Sequence, residues 1–362
     1  MFNSLYIHVP FCNGKCAYCA FYSIRPNAEL RAQYLKHLKC ELVENAPQCG
    51  VLNSIFVGGG TPSVLDLREW EEIFNVIHGN FTLAEKHEWS VEANPESLSP
   101  ELIRLWAANG VNRISIGIQA FQENLRKTIG RQGTLEKLPR LVECIHACIP
   151  ELNFDLIYNI PCQTLEDWRS SLKHALQFSP THLSAYALTL EENTRLAKNM
   201  ASLEDVDFTA FWDMADDVLA DANIKRYEIS NFAIPGHECR HNLEIWKGAT
   251  YLGCGPAATS FDGTDRFTNP PSLSRWLQKE PPETDSLPEE RRACEILAFG
   301  MRTVSGWNWN DFKSRTGFDA EQLRGAQLAK LCRLGLLEQT CDGTRPTRQG
   351  LLFNDDVVME LL

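Results

Sequence analysis

Strand-like and helix-like patterns alternate through the first two-thirds of the chain. Residues 5–9, Leu5-Tyr6-Ile7-His8-Val9, are rich in β formers and stop at Pro10, so they read as a strand. A helix is expected from near Asn27, because Leu30, Tyr34, Leu35, Leu38 and Leu42 recur at helical spacing. The alternation then repeats. Residues 54–57 run into Gly58-Gly59-Gly60-Thr61-Pro62, and 89–91 run into Glu92-Ala93-Asn94-Pro95. Ser99 and Pro100 supply an N-cap and a first helical residue, with Gly110 at the far end of that helix. Residues 113–118 lead to Gln119, 154–158 lead to Pro161, and 182–190 supply a sixth strand. Six such units predict the α/β class, with a parallel sheet and outer helices curled into a partial (β/α)6 TIM-like barrel.

The pattern changes near residue 282, at the Pro/Glu-rich link Glu280-Pro281-Pro282-Glu283. A helical pattern follows over 288–300. Residues 321–334 are amphipathic, with Leu323, Leu328, Leu331 and Leu334 on or near one stripe. A strand over 335–340 turning at Asp342-Gly343, then a last helix over 349–362, complete a winged-helix-like C-terminal module. Three units are therefore expected: a barrel over 1–232, a connecting segment over 233–282, and the helical, winged-helix-like module over 283–362.

Composition narrows the class. Hydrophobic residues make up 44% and charged residues 23%, ordinary values for a globular chain. No run of about 18 apolar residues and no secretory signal opens the chain, so a soluble, cytoplasmic protein is expected, with room only for peripheral membrane contact. A formal net charge of −12 disfavours nucleic acid as a partner, and the C-terminal module lacks a basic recognition helix. The 13 cysteines show no framework spacing apart from the first three, which argues for free thiols rather than disulfides.

Candidate chemistry gathers where strands end. Glu92, Gln119 and Asp155 lie at or near the ends of successive apolar runs, and polar residues at the C-terminal ends of barrel strands read as functional. Gly58-Gly59-Gly60-Thr61 lets backbone approach a ligand, here a zwitterion rather than a phosphate, since the Lys-Ser/Thr of a P-loop is missing. Cys12, Cys16 and Cys19 leave the first strand with 3-2 spacing. Three thiolates can hold an iron–sulfur cubane with one iron open, whereas a structural zinc site needs a fourth ligand, for which His8 is the nearby choice.

The cysteine triad, GGGTPS at 58–63, VEANP at 91–95, RISIGIQAF at 113–121, GR at 130–131 and FDLIYNIP at 154–161 together resemble the radical S-adenosylmethionine (SAM) superfamily. Their order is similar to the branch containing oxygen-independent coproporphyrinogen III dehydrogenase and the HemW-type haem chaperones, over nearly the whole chain. The resemblance implies a [4Fe–4S] cluster on Cys12, Cys16 and Cys19, with the amine and carboxylate of SAM on the open iron. It further implies that Tyr6, Gly59, Gly60 and Thr61 contact SAM, and that Glu92, Gln119 and Asp155 fix the ribose and nearby groups. Arg131 would pair with the methionyl carboxylate. One electron passed to the sulfonium would then give methionine and a 5′-deoxyadenosyl radical.

Two features separate the branches. The dehydrogenases carry a further cysteine two places after the triad and a longer N-terminal extension; here that position is Phe21 and eleven residues precede Cys12. Cys239-Arg240-His241-Asn242-Leu243-Glu244-Ile245-Trp246 resembles the HNxxYW signature of the chaperones, with Ile245 in place of tyrosine. Thr259 likewise stands where a histidine is often found. The resemblance makes His241 the candidate haem ligand, with Cys239 and His237 as alternates. It also implies that the C-terminal unit covers the open end of the barrel. A haem chaperone serving an unidentified acceptor protein is therefore expected, the alternative being the dehydrogenase and, behind both, a radical-SAM enzyme for another substrate.

Overall fold

The computed structural model describes residues 1–199 and 208–362. Six strands, β1 (Phe2–Val9), β2 (Cys49–Gly59), β3 (Thr82–Ala93), β4 (Arg113–Gln119), β5 (Glu151–Tyr158) and β6 (His182–Ala187), lie parallel in chain order. The connections carry α1 (Ala28–Asn45), α2 (Leu67–Asn80), α3 (Pro100–Ala108), α4 (Glu123–Thr128), α5 (Leu138–Cys148) and α6 (Leu165–Leu176). Local sequence starts these helices where it should. Asn27 caps α1 at Leu30 N, 2.8 Å away, and Ser99 caps α3 at Leu102 N. Asp66 with Glu69 and Thr164 with Asp167 form capping boxes on α2 and α6. The sixth strand stops at Ala187, short of the expected Leu190, because β5 offers no ladder partner beyond Tyr158.

Side chains alternate along each strand. Leu5, Ile7 and Val9 of β1, Ile55 and Val57 of β2, and Ile114, Ile116 and Ile118 of β4 are fully buried in one core, together with Tyr34, Leu38 and Leu42 of α1. The alternate positions point into the barrel and are polar: Glu88, Ser90 and Glu92 on β3, Arg113 and Ser115 on β4, Asn153 and Asp155 on β5, His182 and Ser184 on β6. Apolar faces thus pack outward onto helices and leave a polar interior.

The sheet continues past this half-barrel on both edges. After α7 (Arg195–Asn199) and α8 (Phe208–Ala220), β8 (Asn231–Ala233) adds antiparallel to β6, and β7 (Lys225–Arg226) adds antiparallel to β8. The chain then forms α9 (Arg240–Trp246) and β9 (Leu252–Cys254), which adds parallel to β1. The described sheet therefore has nine strands, in the order β7-β8-β6-β5-β4-β3-β2-β1-β9. A small antiparallel sheet of β10 (Thr259–Phe261), β11 (Asp265–Thr268) and β12 (Glu283–Ser286) flanks α10 (Leu273–Leu277).

The C-terminal part contains α11 (Glu289–Gly300), β13 (Trp307–Asn308), α12 (Trp309–Thr316), α13 (Ala320–Arg333), β14 (Leu337–Gln339), β15 (Gly343–Pro346), α14 (Arg348–Leu352) and α15 (Asn354–Leu361). Leu297, Met301, Phe312, Leu331 and Val357 give it a core of its own. Trp307 belongs to that core, its indole N–H donating to Leu297 O at 3.1 Å. This part differs from expectation in its placement. Its described contacts run to the side of the barrel: Arg302 pairs with Glu228 at 3.1 Å, Arg348 with Asp213, and the Arg302 guanidinium stacks on Trp246. None of these involves the cysteine loop; the partners lie on α8, on the β7–β8 connection and on α9.

Candidate functional site

A cavity of about 540 Å³ runs down the axis of the barrel. Its upper end is bordered by Cys12, Cys16 and Cys19, its walls by Glu92, Gln119 and Asp155, and its floor by Arg113, His182, Cys239 and Asn242. The interior polar positions of β3 to β6 thus line one continuous space.

The cysteine loop leaves the C-terminal end of β1 and is pinned at both ends. Cys12 N donates to Ile24 O at 3.0 Å, Ile24 N to Pro10 O at 2.7 Å, and Ala17 N to Ile129 O at 2.9 Å. All three thiols border the cavity, and among the described residues no three His, Cys, Asp or Glu side chains meet at an ion-sized point. Burial, above all, pushes the Cys12 and Cys19 thiols up. Cys12 Sγ lies 3.1 Å from Thr61 Oγ1. Arg131 brings positive charge to this loop, with Nη1 3.7 Å from Cys16 Sγ, Nη2 donating to Gly117 O, and a buried Nε without a partner. The turn presenting Arg131 is held by buried Arg126, which donates to the carbonyls of Gln132 and Gly133 at 3.2 and 3.0 Å. Three thiols bordering one cavity, beside a buried guanidinium whose Nε has no partner among the described residues, fit a cluster carrying an anionic ligand. His8 is not free to complete a zinc site: Nε2 donates to Tyr22 O at 3.0 Å and Nδ1 meets Tyr6 OH at 3.2 Å.

The glycine run lies beside the triad for steric reasons. Gly59 has φ +104, and a Cβ there would sit 2.5 Å from the His8 ring. A Cβ on Gly60 would lie 2.7 Å from Phe11 O and 2.8 Å from Val9 O, both backbone. Gly59 N donates to Glu92 Oε2 at 3.1 Å. Burial, reinforced by Asp155, pushes the Glu92 carboxyl up to about 8. Asp155 is held from both sides, by Ser115 Oγ and Asn153 Nδ2, each 2.8 Å away. Gln119 takes a left-handed backbone, φ 72, where β4 slips register against β5. Tyr6 lies lower, stacked on Phe56, and burial raises its phenol. The structure therefore brings Gly59, Gly60, Thr61, Glu92, Gln119, Arg131 and Asp155 to the same cavity as the cysteines. Ser115 and Asn153 were not singled out from sequence. Their signal is the period-two polarity of Arg113-Ile114-Ser115-Ile116 and Glu151-Leu152-Asn153-Phe154-Asp155.

His241 lies at the opposite end of the barrel. Residues 240–246 are not an open loop but α9, whose N-terminus plugs the barrel floor. The amides of Arg240 and His241 both donate to the Glu88 carboxylate at 3.0 Å, and Cys239 Sγ lies 3.4 Å from it. Arg113 spans this carboxylate and the carbonyls of His237 and Glu238. The His241 ring is 3% exposed, stacked on Phe56, with Nδ1 2.8 Å from Ser54 Oγ. Burial lowers its pKa to about 4. An imidazole expected to face a porphyrin is thus covered in this arrangement, because the Glu88 carboxylate draws its helix inward. Of the alternates, Cys239 is buried and His237 is half-exposed, paired with Glu151 at 2.8 Å.

A chain of hydrogen bonds runs from the cavity wall to its floor. Asn153 Oδ1 accepts from His182 Nδ1 at 2.7 Å, His182 Nε2 meets Tyr227 OH at 2.8 Å, and that phenol oxygen accepts from Cys239 N at 3.3 Å.

The Radical SAM superfamily model matches residues 6–175, and the HemN C-terminal domain model matches 287–353. The chain is 31% identical to the Heme chaperone HemW of Lactococcus lactis, over 99% of this chain and 97% of that protein. It is 32% identical to the HemW of Escherichia coli, over 97% and 95%, and 34% identical to that of Mycobacterium tuberculosis, over 99% and 94%. Among solved structures, the coproporphyrinogen III oxidase HemN from Escherichia coli, a radical SAM enzyme, superposes with a TM-score of 0.85 over 99% of this chain and 89% of that one, at 21% identity.

Proposed function

Because the chain belongs to the HemW haem-chaperone family within the radical SAM superfamily, we propose that it binds haem and hands it to an acceptor protein in the cytoplasm. The observation that supports it most is the full-length likeness to proteins named for that activity. No described helix is long and apolar enough to cross a membrane.

A [4Fe–4S] cluster on Cys12, Cys16 and Cys19, with SAM beside it, accompanies this reading. When bound, the pair supplies one-electron cleavage of the sulfonium; the chain supplies place and charge. Arg131 would hold the carboxylate of SAM, and its buried Nε, without a partner among the described residues, makes that pairing favourable. Gly59 and Gly60 let backbone approach an amine. Thr61 borders the same space while Tyr6 lies lower, against Phe56; Glu92 offers a carboxyl raised by burial, Gln119 a side-chain amide, and Asp155 a carboxylate held rigid by Ser115 and Asn153. Metal binding removes protons from thiols that burial has made weak acids, so cluster assembly releases protons. His241 would ligate haem only if α9 left the floor, since its ring is buried against Phe56 and Ser54.

The intact constellation also supports the dehydrogenase reading, in which a porphyrinogen propionate is oxidised. Phe21, standing where the dehydrogenases carry a further cysteine, favours the chaperone. Anaerobic reconstitution followed by two assays decides. A stoichiometric Soret change on adding haem, with no coproporphyrinogen turnover, is expected. SAM consumption that depends on coproporphyrinogen, without saturable haem binding, would replace the chaperone by the dehydrogenase. Cys12→Ser, Cys16→Ser and Cys19→Ser should each abolish the visible absorption of the cluster; full retention of iron and sulfide in any of them removes that ligand.

A further inference from the structure

We propose that the C-terminal part acts as a catch on α9: it holds His241 inside the barrel floor, and its displacement frees the helix and uncovers the imidazole for haem. This rests on the haem-binding reading above, with His241 as ligand, and adds how access to that ligand is controlled.

α9 is a seven-residue helix gripped from two sides. On one side the Glu88 carboxylate accepts the amides of Arg240 and His241. On the other lie three residues of the C-terminal part. The Arg302 guanidinium covers the Trp246 ring, 4.0 Å from its centroid, and its Nε and Nη2 both donate to Glu228 Oε2 at 3.1 Å. Arg315 Nη2 pairs with Glu244 at 3.2 Å, and Ser305 Oγ accepts from Lys247 Nζ, one residue past the helix, at 3.3 Å. Gly248 then lets α11 come close, since a Cβ there would sit 2.9 Å from Ile296. Arg302 is the contact that matters most, because it grips α9 and the barrel edge at Glu228 together.

These grips are polar and reversible. Leu243, Ile245 and Trp246 are half-buried and belong to none of the described hydrophobic cores, so withdrawing α9 takes no member from the barrel core or from that of the C-terminal part. The Glu244 and Arg315 side chains are 55% and 37% exposed, and ion pairs that water reaches hold little. With the catch closed, Trp246 Nε1 is buried without a partner among the described residues, a desolvation cost that a released helix, with its indole in water, does not carry. Gly236 and Gly248, at φ +92 and +72, flank the segment and supply a joint at each end. A short helix held by polar contacts between two such joints has two positions, in and out. The His241 ring is covered in the first and open to a flat iron porphyrin in the second.

The test pairs hydrogen exchange over peptides spanning 237–247 with an anaerobic haem titration followed through the Soret band. Arg302→Lys keeps a charge for buried Glu228 but removes the planar face over Trp246, and Arg315→Glu sets a like charge against Glu244. Together they should lower protection of 237–247 about tenfold, what one cation–π contact and one ion pair supply, and tighten haem binding by the same factor, since only the open fraction binds. Adding His241→Ala should abolish the gain in affinity. Lys330→Ala, which breaks a pair with Glu360 inside the C-terminal part, should change neither readout. Should the double variant fail to fold, Arg315→Glu alone, at an exposed site, should move both readouts the same way by about twofold. Unchanged protection in the folded variants overturns the catch, and so does lower protection with unchanged haem affinity; both leave the haem-binding reading standing. No saturable Soret change in wild type or in any variant overturns that reading, and the proposal with it.

Discussion

Glu88 is the residue on which the floor of the barrel depends. It is 4% exposed, accepts the amides of Arg240 and His241 at 3.0 Å each, and faces the Arg113 guanidinium at 3.5 Å. Glu88→Ala removes two charge-assisted acceptors from the first turn of α9 and leaves Arg113 with the more distant Glu151, 3.8 Å away. Removing one partner of a buried ion pair costs about 3–5 kcal/mol. The loss should fall first on α9, since seven residues form too short a helix to persist without tertiary support. Hydrogen exchange measured by mass spectrometry on peptides spanning 237–247 reads it locally. At tenfold per 1.4 kcal/mol, protection should drop between about a hundredfold and a few thousandfold. Glu88→Gln keeps one acceptor and the shape, so it should fall between wild type and Glu88→Ala. Unchanged protection of 237–247 in Glu88→Ala would refute the carboxylate as the anchor of the plug.

Gly60→Ala forces a methyl against Phe11 O and Val9 O, neither of which can turn away; melting should show a loss of about 1–3 kcal/mol, and a wild-type melting temperature would contradict the close approach. Glu92 is raised from 4.5 to about 8, so the folded apoprotein holds a proton that the unfolded chain has lost. Its stabilisation is complete below 4.5 and fades as pH rises toward 8, and Glu92→Gln should flatten urea midpoints across that window; equal slopes in both proteins argue against a protonated Glu92. His241 has the opposite sign. With its pKa lowered from 6.5 to about 4, its neutral form stabilises the fold above 6.5 and that contribution is lost as pH falls toward 4. His241→Gln should lose that acid slope, whereas an unaltered slope would place the titration elsewhere.

Much of the barrel could be read from the chain because its information is local. Pro10 ends β1, Ser99 and Asn27 start their helices, and Glu92, Gln119 and Asp155, polar positions of strands 3, 4 and 5, end up around one cavity. What escaped reading depends on distant partners. Residues 240–246 form a helix whose first turn has no side-chain cap of its own; its cap is Glu88, some 150 positions earlier. A histidine followed by a tryptophan in such a segment reads as an open ligand motif, yet the fold turns it inward. The edge strands β7, β8 and β9 are two or three residues long, too short to show a period. The polar lining was legible as alternation in β3, β4 and β5, but attention to strand ends alone passed over Ser115 and Asn153.

The strand order has a consequence for how the chain is made. β1 is synthesised first, yet its outer edge is closed only by β9, and the floor below it only by α9. The cysteine loop likewise gains the Leu196 N to Ala17 O bond from a segment almost 180 residues later. On the ribosome, where domains assemble from the N-terminus onward, the growing half-barrel therefore carries a bare edge and an open base until about residue 254 has emerged. Contacts of such long range make assembly slow. Cys12, Cys16 and Cys19 are among the first residues translated, but the segments that close the sheet edge and the floor beneath them come some 230 residues later, so the enclosed pocket exists only once most of the chain has been made.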